Sequence, residues 1–316
     1  MKDTENRLLI LTPDAEAYAR QLIRRRLPDL ALVPCGRKEG ARDLIADCNI
    51  VLGQPDWVRP VLDHAPKLKW VQSTFAGVEA LCMGEPPSDY MLTGVKGLFG
   101  PLMSEYVFAY ILALERQLFE TRDNQKKKLW RMLPYQSLQG LNLGICGLGS
   151  VGRQIALTGN HFKMRVLAYK RSPHKSPLVE QVFSGSSLND FLSRLDYLVI
   201  TLPLTAETRH LIDYGALCRM KPSAVLINVG RGGVVIEKDL ERTLEEKRIR
   251  GAVIDVFEKE PLSAQSRLWE MPHVFITPHN SAFSFPEKII EIFSGNYRRF
   301  IKKEKLEYLI DFKRGY

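Results

Sequence analysis

The sequence predicts an α/β protein built from two doubly wound parallel-sheet domains, and three observations lead to that fold class. Short apolar segments alternate along the chain with segments of helical period, which is typical of parallel sheets covered by helices. A chain of 316 residues exceeds what one hydrophobic core usually organises, so two domains are expected. Residues 141–152, LNLGICGLGSVG, have the pattern of a buried strand that ends in a glycine-rich turn and opens a helix.

The first hundred residues are predicted to form one small α/β domain. Segments of helical spacing, such as residues 15–26, separate its five strands. The glycines at 97 and 100 mark a hinge to one long helix, whose apolar stripe runs from Met103 to Leu118 and is followed by an arm at 126–136. The predicted strands are LLIL (8–11), ALV (31–33), IVL (50–52), WVQS (70–73) and MLTG (91–94).

The second domain is predicted to be a doubly wound nucleotide-binding sheet of six strands. Pro286 then starts a last amphipathic helix, with apolar residues four apart from Ile289 to Ile301, which is expected to return to the first domain. The six strands are the one ending at Cys146, followed by VLAY (166–169), YLVIT (197–201), AVLIN (224–228), AVIDV (252–256) and VFIT (274–277).

Composition and charge exclude several classes of protein. No apolar run approaches the roughly 18 residues of a membrane span, and the polar start MKDTENR is unlike a signal peptide, so we expect a cytoplasmic protein without a membrane partner. Five scattered cysteines without a C-x-x-C pair indicate reduced thiols and no metal site. The net charge of +9 favours a surface that attracts anionic substrates over a nucleic-acid partner, because the basic runs are separate and lie in no nucleic-acid motif.

The glycine-rich turn is the predicted pyrophosphate site. Gly147 permits the tight turn, Gly149 lets the backbone approach the phosphates, and Gly152 lets the helix pack closely on the strand. The phosphates then meet backbone N–H groups at the positive end of the helix. Because glycine also marks ordinary turns, this motif alone is a weak signal. The predicted cofactor contacts here are Gly147, Leu148, Gly149, Ser150, Val151 and Gly152.

The end of the next strand indicates which dinucleotide binds. An acid about 20 residues after the glycines usually holds the NAD ribose, but no Asp or Glu occurs between residues 152 and 180. Lys170, Arg171 and Ser172 stand there instead and can bind a 2′-phosphate. We therefore predict NADP(H) as the preferred cofactor. NAD(H) stays open as the alternative, in which these residues form only a basic surface turn.

Three segments place chemically capable residues directly after strands of the second sheet, where ligands bind in open α/β sheets. They are NVGRGG (228–233), DVFEKEP (255–261) and TPHNSA (277–282). Taken singly, a surface arginine, a loop acid and a hydrogen-bonded histidine need no function. Their joint placement after consecutive strands of one dinucleotide-binding sheet favours a catalytic site.

On these motifs the chain resembles the D-isomer-specific 2-hydroxyacid dehydrogenases, and within them most closely the glyoxylate/hydroxypyruvate reductases. The resemblance covers essentially the whole length. It implies a Rossmann-type cofactor domain, residues 99–283, inserted in a flavodoxin-like substrate domain of residues 1–98 and 284–316, with a cleft between them. It also implies a homodimer through the cofactor domain, with residues 102–135 as the contact. The motifs are STFAGVE (73–79), GLGSVG (147–152), TLPLTAETRHLI (201–212), NVGRGG, DVFEKEP and TPHNSA.

The resemblance also implies roles for single residues. His279 is the proton donor, Glu260 stabilises its imidazolium and orients the ring, and Arg231 binds the carboxylate and carbonyl oxygen of the substrate. A histidine needs such a carboxylate partner, because its ordinary pKa of about 6.5 is too low for a charged acid at neutral pH.

A loop of the first domain and several cofactor contacts complete the implied site. The backbone N–H groups of Ala76, Gly77 and Val78 cradle the substrate carboxylate, with a simple βα turn as the alternative. Asp255 contacts the nicotinamide carboxamide, with a strand-end cap as its alternative role. The remaining contacts are Leu202, Pro203 and Thr208 on the adenosine and pyrophosphate side and Val229 on the nicotinamide side.

The predicted activity is NADPH-dependent reduction of small 2-oxo acids, glyoxylate and hydroxypyruvate first, to D-2-hydroxy acids. One alternative is a dehydrogenase of a larger 2-oxo acid, whose pocket Trp57, Phe75, Leu98 and Phe283 would shape. Another is a nucleotide-sensing binding protein similar to co-repressors, since fold does not determine function. A sensor does not need the arginine, glutamate and histidine set, which favours the enzyme.

Overall fold

The computed structural model describes residues 6–82 and 90–312, and the chain divides into two compact units. Unit 1 comprises residues 1–98 and 284–316, and unit 2 comprises residues 99–283. The first five residues of the polar start MKDTENR, which is unlike a signal peptide, lie outside the described part. Among the described helices, none is both long and apolar enough to cross a membrane.

Unit 1 contains a parallel sheet of apolar strands. Its strands are β1 (Asn6–Leu11), β2 (Leu30–Cys35), β3 (Ile50–Gly53), β4 (Trp70–Ser73) and β5 (Met91–Thr93). They lie in the order β2-β1-β3-β4-β5, which is the flavodoxin-like order of a doubly wound sheet. Residues 8–11 of β1 and 50–52 of β3 are fully buried because helices cover the sheet. The helices between the strands are α1 (Ala15–Arg25), α2 (Ala41–Ile45), α3 (Pro55–Val58) and α4 (Glu79–Cys82).

Unit 2 opens with a helical region that differs from the prediction. The single long helix is two helices, α5 (Phe99–Glu115) and α6 (Leu118–Lys126). Gln117 between them has φ 50, a left-handed conformation that ends an α-helix. The predicted apolar stripe is not buried beyond this break, since Leu118 is 53% exposed, but Phe119 of α6 stacks on Phe275 with ring centroids 4.4 Å apart. Residues 129–137 follow without regular secondary structure.

The sheet of unit 2 has seven described strands, so the prediction of six was wrong. The additional strand covers 181–183, and its three residues are too few to show a period. The strands are β6 (Asn142–Cys146), β7 (Arg165–Tyr169), β8 (Gln181–Phe183), β9 (Tyr197–Ile200), β10 (Val225–Asn228), β11 (Gly251–Ile254) and β12 (Val274–Ile276). The helices are α7 (Ser150–His161), α8 (Leu188–Ser193), α9 (Tyr214–Leu217) and α10 (Glu237–Glu245).

The strand order of unit 2 is β12-β11-β10-β9-β6-β7-β8, with every pair parallel. The order reverses between β6 and β9, and ligands of open α/β sheets bind at the carboxyl ends of the strands beside such a reversal. The predicted fold class, with two doubly wound parallel sheets, is confirmed.

The last helix, α11 (Pro286–Ile301), belongs to unit 1 and packs on α1. Its Phe293 ring stacks on Trp70 with centroids 5.0 Å apart, and its Tyr297 hydroxyl donates to the carbonyl oxygen of Pro28 at 2.7 Å. The predicted apolar residues Ile289, Phe293 and Tyr297 are therefore buried in the core, whereas Ile301 at the end of the helix is 40% exposed.

Candidate active site

The glycine-rich turn joins β6 to α7. Gly147 has φ 102, in the left-handed region that favours glycine. A Cβ on Gly152 would lie 2.0 Å from the carbonyl oxygen of Gly147, so only glycine allows α7 to start this close to the turn. A Cβ on Gly149 would meet nothing within 4 Å, which leaves the backbone open to a ligand. This geometry fits a dinucleotide pyrophosphate at the N-terminus of α7.

The side chains of the turn divide between core and solvent. Leu148 is buried in an apolar cluster, Ser150 is exposed and Val151 is half-buried. The hydroxyl of Thr201, directly after β9, donates to the carbonyl oxygen of Gly147 at 2.7 Å and so holds the turn. From the sequence, Thr201 is predicted only as the last residue of the strand YLVIT and the first of a motif, and this hydrogen bond is not predicted.

The loop after β9 contains the other predicted contacts of the adenosine side. Leu202 and Pro203 are half-buried. The hydroxyl of Thr208 donates to the carbonyl oxygen of Pro203 at 2.6 Å and accepts the N–H of Thr205 at 2.8 Å. These bonds give Thr208 a role in shaping the loop.

The basic turn follows β7. Lys170 is half-buried, and its backbone N–H donates to the carbonyl oxygen of Phe183 at 3.1 Å, while Arg171 is exposed and Ser172 is half-buried. Glu180, the first acid after the turn, pairs with Arg165 at 2.7 Å. The cationic and hydroxyl groups present fit a phosphate better than a neutral ribose.

The catalytic candidates Glu260 and His279 meet in space. Nδ1 of His279 lies 2.8 Å from Oε2 of Glu260, and Oε1 of Glu260 accepts the backbone N–H of Phe257 at 3.0 Å. The side chains are 45% and 36% exposed, respectively. Glu260 therefore fixes one ring nitrogen and leaves Nε2 as the nitrogen that can serve a substrate.

Each partner shifts the pKa of the other. The hydrogen bond with Glu260 raises the pKa of His279 above its ordinary value, although desolvation lowers it, and the negative charges of Glu260 and Asp255 add to the rise. The positive charge of Arg231 opposes it. Burial raises the pKa of Glu260, but the hydrogen bonds from His279 and Phe257, with the positive charges of His279 and Arg231, together place it below its ordinary value. The pair thus favours imidazolium beside carboxylate.

Asp255 organises the loop that contains His279. Its carboxylate is fully buried and accepts the hydroxyl of Thr277 at 2.6 Å and the backbone N–H groups of Asn280 at 2.9 Å and Ser281 at 3.1 Å. The backbone N–H of His279 donates to the carbonyl oxygen of Asp255 at 2.9 Å. This geometry favours the strand-end cap over direct contact with a cofactor. The sequence offered no sign of this network beyond the polar residues around His279.

Arg231 lies in the turn after β10. Its NH1 donates to the carbonyl oxygen of Gly230 at 2.7 Å, and the side-chain amide of Asn228 donates to the carbonyl oxygen of Arg231 at 3.1 Å. A Cβ on Gly232 would lie 1.9 Å from the carbonyl carbon of Phe257, so glycine allows this turn to pack on the loop that contains Glu260. Val229 is buried in the core, which leaves only its backbone for ligand contact.

The predicted substrate loop follows β4 in unit 1. The hydroxyl of Ser73 donates to the carbonyl oxygen of Phe75 at 2.8 Å and accepts its N–H at 3.0 Å. Ala76 is exposed, Gly77 is half-buried, and the side chain of Val78 is 1% exposed and anchors the loop in the core of unit 1. The loop is thus fixed at both ends around its predicted N–H donors.

A pocket of about 380 Å³ opens beside His279 and Glu260 within unit 2. Its wall is mainly apolar. The apolar lining residues are Phe257, Pro261, Leu262, Trp269, Ile276 and Pro278.

Comparison with known proteins identifies the kind of protein that shares these features. The profile of the family described as D-isomer specific 2-hydroxyacid dehydrogenase, NAD binding domain, matches residues 108–281. Among curated proteins, glyoxylate/hydroxypyruvate reductase A of Photorhabdus laumondii subsp. laumondii is 31% identical over 269 residues, which cover 82% of this chain and 86% of that protein.

Solved structures agree with the sequence comparison. A D-isomer specific 2-hydroxyacid dehydrogenase family protein from Aeromonas salmonicida subsp. salmonicida superposes with a TM-score of 0.94 at 45% identity, covering 98% of this chain and 100% of that one. The NADPH-dependent glyoxylate/hydroxypyruvate reductase of Sinorhizobium meliloti, solved with NADP and sulfate, superposes with a TM-score of 0.86 at 28% identity, over 98% and 100% of the two chains.

Proposed function

Because the chain belongs to the D-isomer-specific 2-hydroxyacid dehydrogenase family of oxidoreductases, we propose that it reduces small 2-oxo acids with NADPH. Glyoxylate and hydroxypyruvate are the preferred substrates, and the product is the D-2-hydroxy acid where it is chiral. The observation that carries the proposal is the 2.8 Å contact between His279 and Glu260, in the loops that follow strands of the sheet bearing the glycine-rich turn.

His279 is the proposed proton donor. Its raised pKa keeps more of the imidazole protonated near neutral pH, where a proton donor is needed. Glu260 stabilises the imidazolium and orients the ring through Nδ1. NADPH, when bound, supplies the hydride for the carbonyl carbon. The proton from His279 then converts the developing alkoxide oxygen into the hydroxyl group of the product.

Arg231 and the loop of unit 1 are the proposed anion-binding groups. The guanidinium has a planar fork that matches a carboxylate, and the hydrogen bond to Gly230 restricts its orientation. It also stabilises negative charge on the carbonyl oxygen during reduction. The N–H groups of Ala76, Gly77 and Val78 in unit 1 are proposed to bind a carboxylate.

The proposed cofactor is NADP(H), held by the glycine-rich turn and by Lys170, Arg171 and Ser172. The Sinorhizobium meliloti relative is described as NADPH-dependent, and a Xanthobacter autotrophicus relative of 27% identity was solved with NADPH, which supports this preference. NAD(H) remains the weaker alternative, since the matching family profile is that of an NAD-binding domain.

The test mixes purified protein, NADPH and glyoxylate and follows absorbance at 340 nm. We expect NADPH oxidation, with kcat/KM higher for NADPH than for NADH. Arg171→Ser should lower kcat/KM for NADPH by about 10- to 100-fold, the value of one or two charged hydrogen bonds, and leave NADH unaffected. Arg165→Ser, at the start of the strand that precedes Arg171, is the matched control.

Two outcomes contradict parts of the proposal. Equal kcat/KM values, or a preference for NADH, would contradict the assignment of NADP(H). If NADPH is not oxidised with any small 2-oxo acid, the proposed reductase activity is contradicted and the nucleotide-sensing alternative is favoured.

A dehydrogenase of a larger 2-oxo acid is the second candidate function. The apolar pocket beside His279 favours it, because its volume of about 380 Å³ exceeds what glyoxylate needs. A panel of glyoxylate, hydroxypyruvate, 4-methyl-2-oxopentanoate and phenylpyruvate separates the two. A higher kcat/KM for the branched or aromatic acid would contradict glyoxylate and hydroxypyruvate as the preferred substrates and support the second candidate function.

We also propose a homodimer formed through the cofactor domain, in the cytoplasm. Leu118, Leu129, Trp130, Met132 and Tyr135 are all more than half exposed, and apolar surface concentrated in one segment is typical of an interface. The cysteines are free, which fits a reducing compartment. Light scattering should give the mass of two chains. Trp130→Ser with Met132→Ser should give one chain, whereas Ile23→Ser, also at an exposed apolar position, should remain dimeric.

A further inference from the structure

A row of hydrogen bonds connects α5 to the loop that contains His279. The hydroxyl of Tyr106 lies 2.6 Å from Oγ1 of Thr277, and Oγ1 of Thr277 lies 2.6 Å from Oδ1 of Asp255. Asp255 in turn accepts the backbone N–H groups of Asn280 and Ser281. These are the two residues that directly follow His279, so the row of hydrogen bonds ends on the backbone of the loop that contains His279.

The proton positions in this row follow from the chemistry of its members. Oγ1 of Thr277 donates its single hydroxyl proton to Oδ1 of Asp255. Thr277 then has only lone pairs for Tyr106, which makes the phenol the donor. Burial raises the pKa of Tyr106, so it keeps this proton at physiological pH. The row therefore has one direction, from Tyr106 to Asp255.

His279 needs this support because of its backbone. It has φ 52, a conformation that a residue with a side chain seldom adopts and that surrounding contacts must maintain. Its N–H donates to the carbonyl oxygens of Asp255 and Thr277 at 2.9 and 3.0 Å. A second contact with α5 comes from the hydroxyl of Ser281, which lies 3.2 Å from the sulfur of Met103.

We propose that Tyr106 is a positioning residue for His279, acting through the hydroxyl of Thr277 and the carboxylate of Asp255. This inference rests on the proposed function, in which His279 gives the proton. Tyr106 keeps Asp255 and the backbone of the loop in one arrangement. That arrangement sets the distance from His279 to Glu260 and so the protonation of the ring.

Tyr106→Phe tests the inference, since it keeps the ring and removes only the donor. We expect kcat for glyoxylate reduction to fall about 10-fold, because small misplacements of a reacting group cost one to two orders of magnitude. KM should change less than about 2-fold, because Tyr106 does not bind substrate. Unchanged kcat in Tyr106→Phe would overturn the inference.

A double-mutant cycle with Thr277 tests the route. Thr277→Val removes the hydroxyl at nearly constant volume and should lower kcat as Tyr106→Phe does, whereas Thr277→Ser should restore most of it. In the Thr277→Val background, Tyr106→Phe should have no further effect, because both residues belong to one row. Additive losses in the double variant would show that Tyr106 acts elsewhere.

The pKa of His279 gives a readout that does not need activity. Glu260, Asp255 and Arg231 are the charged groups that act on it. Titration of the His279 imidazole by NMR, assigned with His279→Asn, should show a lower pKa in Tyr106→Phe, because a displaced ring bonds less to Glu260. An unchanged imidazole pKa would overturn the inference. If the wild type reduces no 2-oxo acid but the His279 pKa still falls in Tyr106→Phe, only the proposed function is refuted.

Tyr214→Phe is the matched control within unit 2. It also removes a tyrosine hydroxyl bonded to a carboxylate, that of Glu246 at 2.6 Å, but it lies outside the row that ends on His279. We expect wild-type kcat and an unchanged His279 pKa. Losses equal to those of Tyr106→Phe would mean a general loss of stability, and the inference would fail.

Discussion

In unit 2, a paired glutamate lies at each end of the parallel strands, and the two pairs differ in role. We call the side where the strands begin the amino edge and the side where they end the carboxyl edge. At the amino edge, Glu115 accepts hydrogen bonds from the buried Tyr197 hydroxyl and from NH2 of Arg250, the latter at 2.6 Å. At the carboxyl edge, Glu260 contacts His279 at 2.8 Å. Both are carboxylates beside groups that carry a proton. Glu115 is 4% exposed, however, whereas the side chain of Glu260 is 36% exposed.

This difference shows that exposure, and not pairing, separates a structural cluster from a candidate catalytic one. At the amino edge Oε1 of Glu115 accepts from both partners, so the cluster holds α5 to two strands. At the carboxyl edge one ring nitrogen of His279 remains for a substrate. Cavity volume does not make this distinction, because a pocket of about 900 Å³ lies at the amino edge and is lined by Glu115 and Arg250.

The largest expected effect is at the carboxyl edge. His279→Asn should lower kcat by about 10²- to 10⁴-fold, the usual contribution of a general acid. Asparagine tolerates the φ of 52 better than most residues, so thermal unfolding should stay close to wild type. His210→Asn is the matched control, since His210 has φ 56 and is also 45% exposed. Steady-state turnover near that of wild type would refute the proton donor.

Arg231→Lys should have the next largest effect. A lysine keeps the charge but lacks the planar fork, and losing one charged hydrogen bond should lower kcat/KM for glyoxylate by about 10- to 100-fold. Arg209→Lys, an exposed arginine in the loop after β9, should leave kcat/KM unchanged. If Arg231→Lys matched that control, a bidentate contact with the substrate would be excluded.

At the amino edge the expected effect is on stability. Glu115→Gln should lower the free energy of unfolding by about 1 to 2 kcal/mol, because Arg250 loses its carboxylate partner in a largely buried site. Turnover of the folded protein should not change. Urea unfolding measures the loss, and Arg165→Gln, which breaks an exposed ion pair, should show no measurable one. A fall in kcat without a fall in stability would contradict the comparison of the two edges.

The smallest effect is a shift in pH dependence. In the proposed mechanism reduction needs protonated His279, so kcat/KM should be high below its pKa and fall as pH rises through it. Glu260→Gln removes the partner that raises this pKa, and the fall should therefore move to lower pH. Glu258→Gln alters another acid of the same loop, which faces His210 at 3.6 Å, and should leave the profile in place. Identical profiles for wild type and Glu260→Gln would show that Glu260 does not set this pKa.

Much of the fold and part of the site could be predicted, for reasons that differ by element. The central strands of both sheets, such as β3 and β10, are short apolar runs that are buried along their whole length, and this pattern marks them in the sequence. β8 was missed because Gln181–Phe183 is too short for a period. The break at Gln117 was missed because its left-handed conformation leaves the apolar pattern unchanged. Thr208 and Asp255 stay predicted cofactor contacts, and the local hydrogen bonds that they also make could not be predicted because they depend on loop conformation.

The fold class, and the strand that each catalytic candidate follows, could be predicted from local sequence patterns. Apolar period and glycine placement are local properties, and parallel strands necessarily bring their carboxyl ends to one edge. Which of these groups are in contact could not be predicted in the same way. The contact of Glu260 with His279 spans 19 residues, and that of Tyr106 with Thr277 spans 171. Such contacts depend on how separate helices and loops pack, and no local pattern encodes the distance between them.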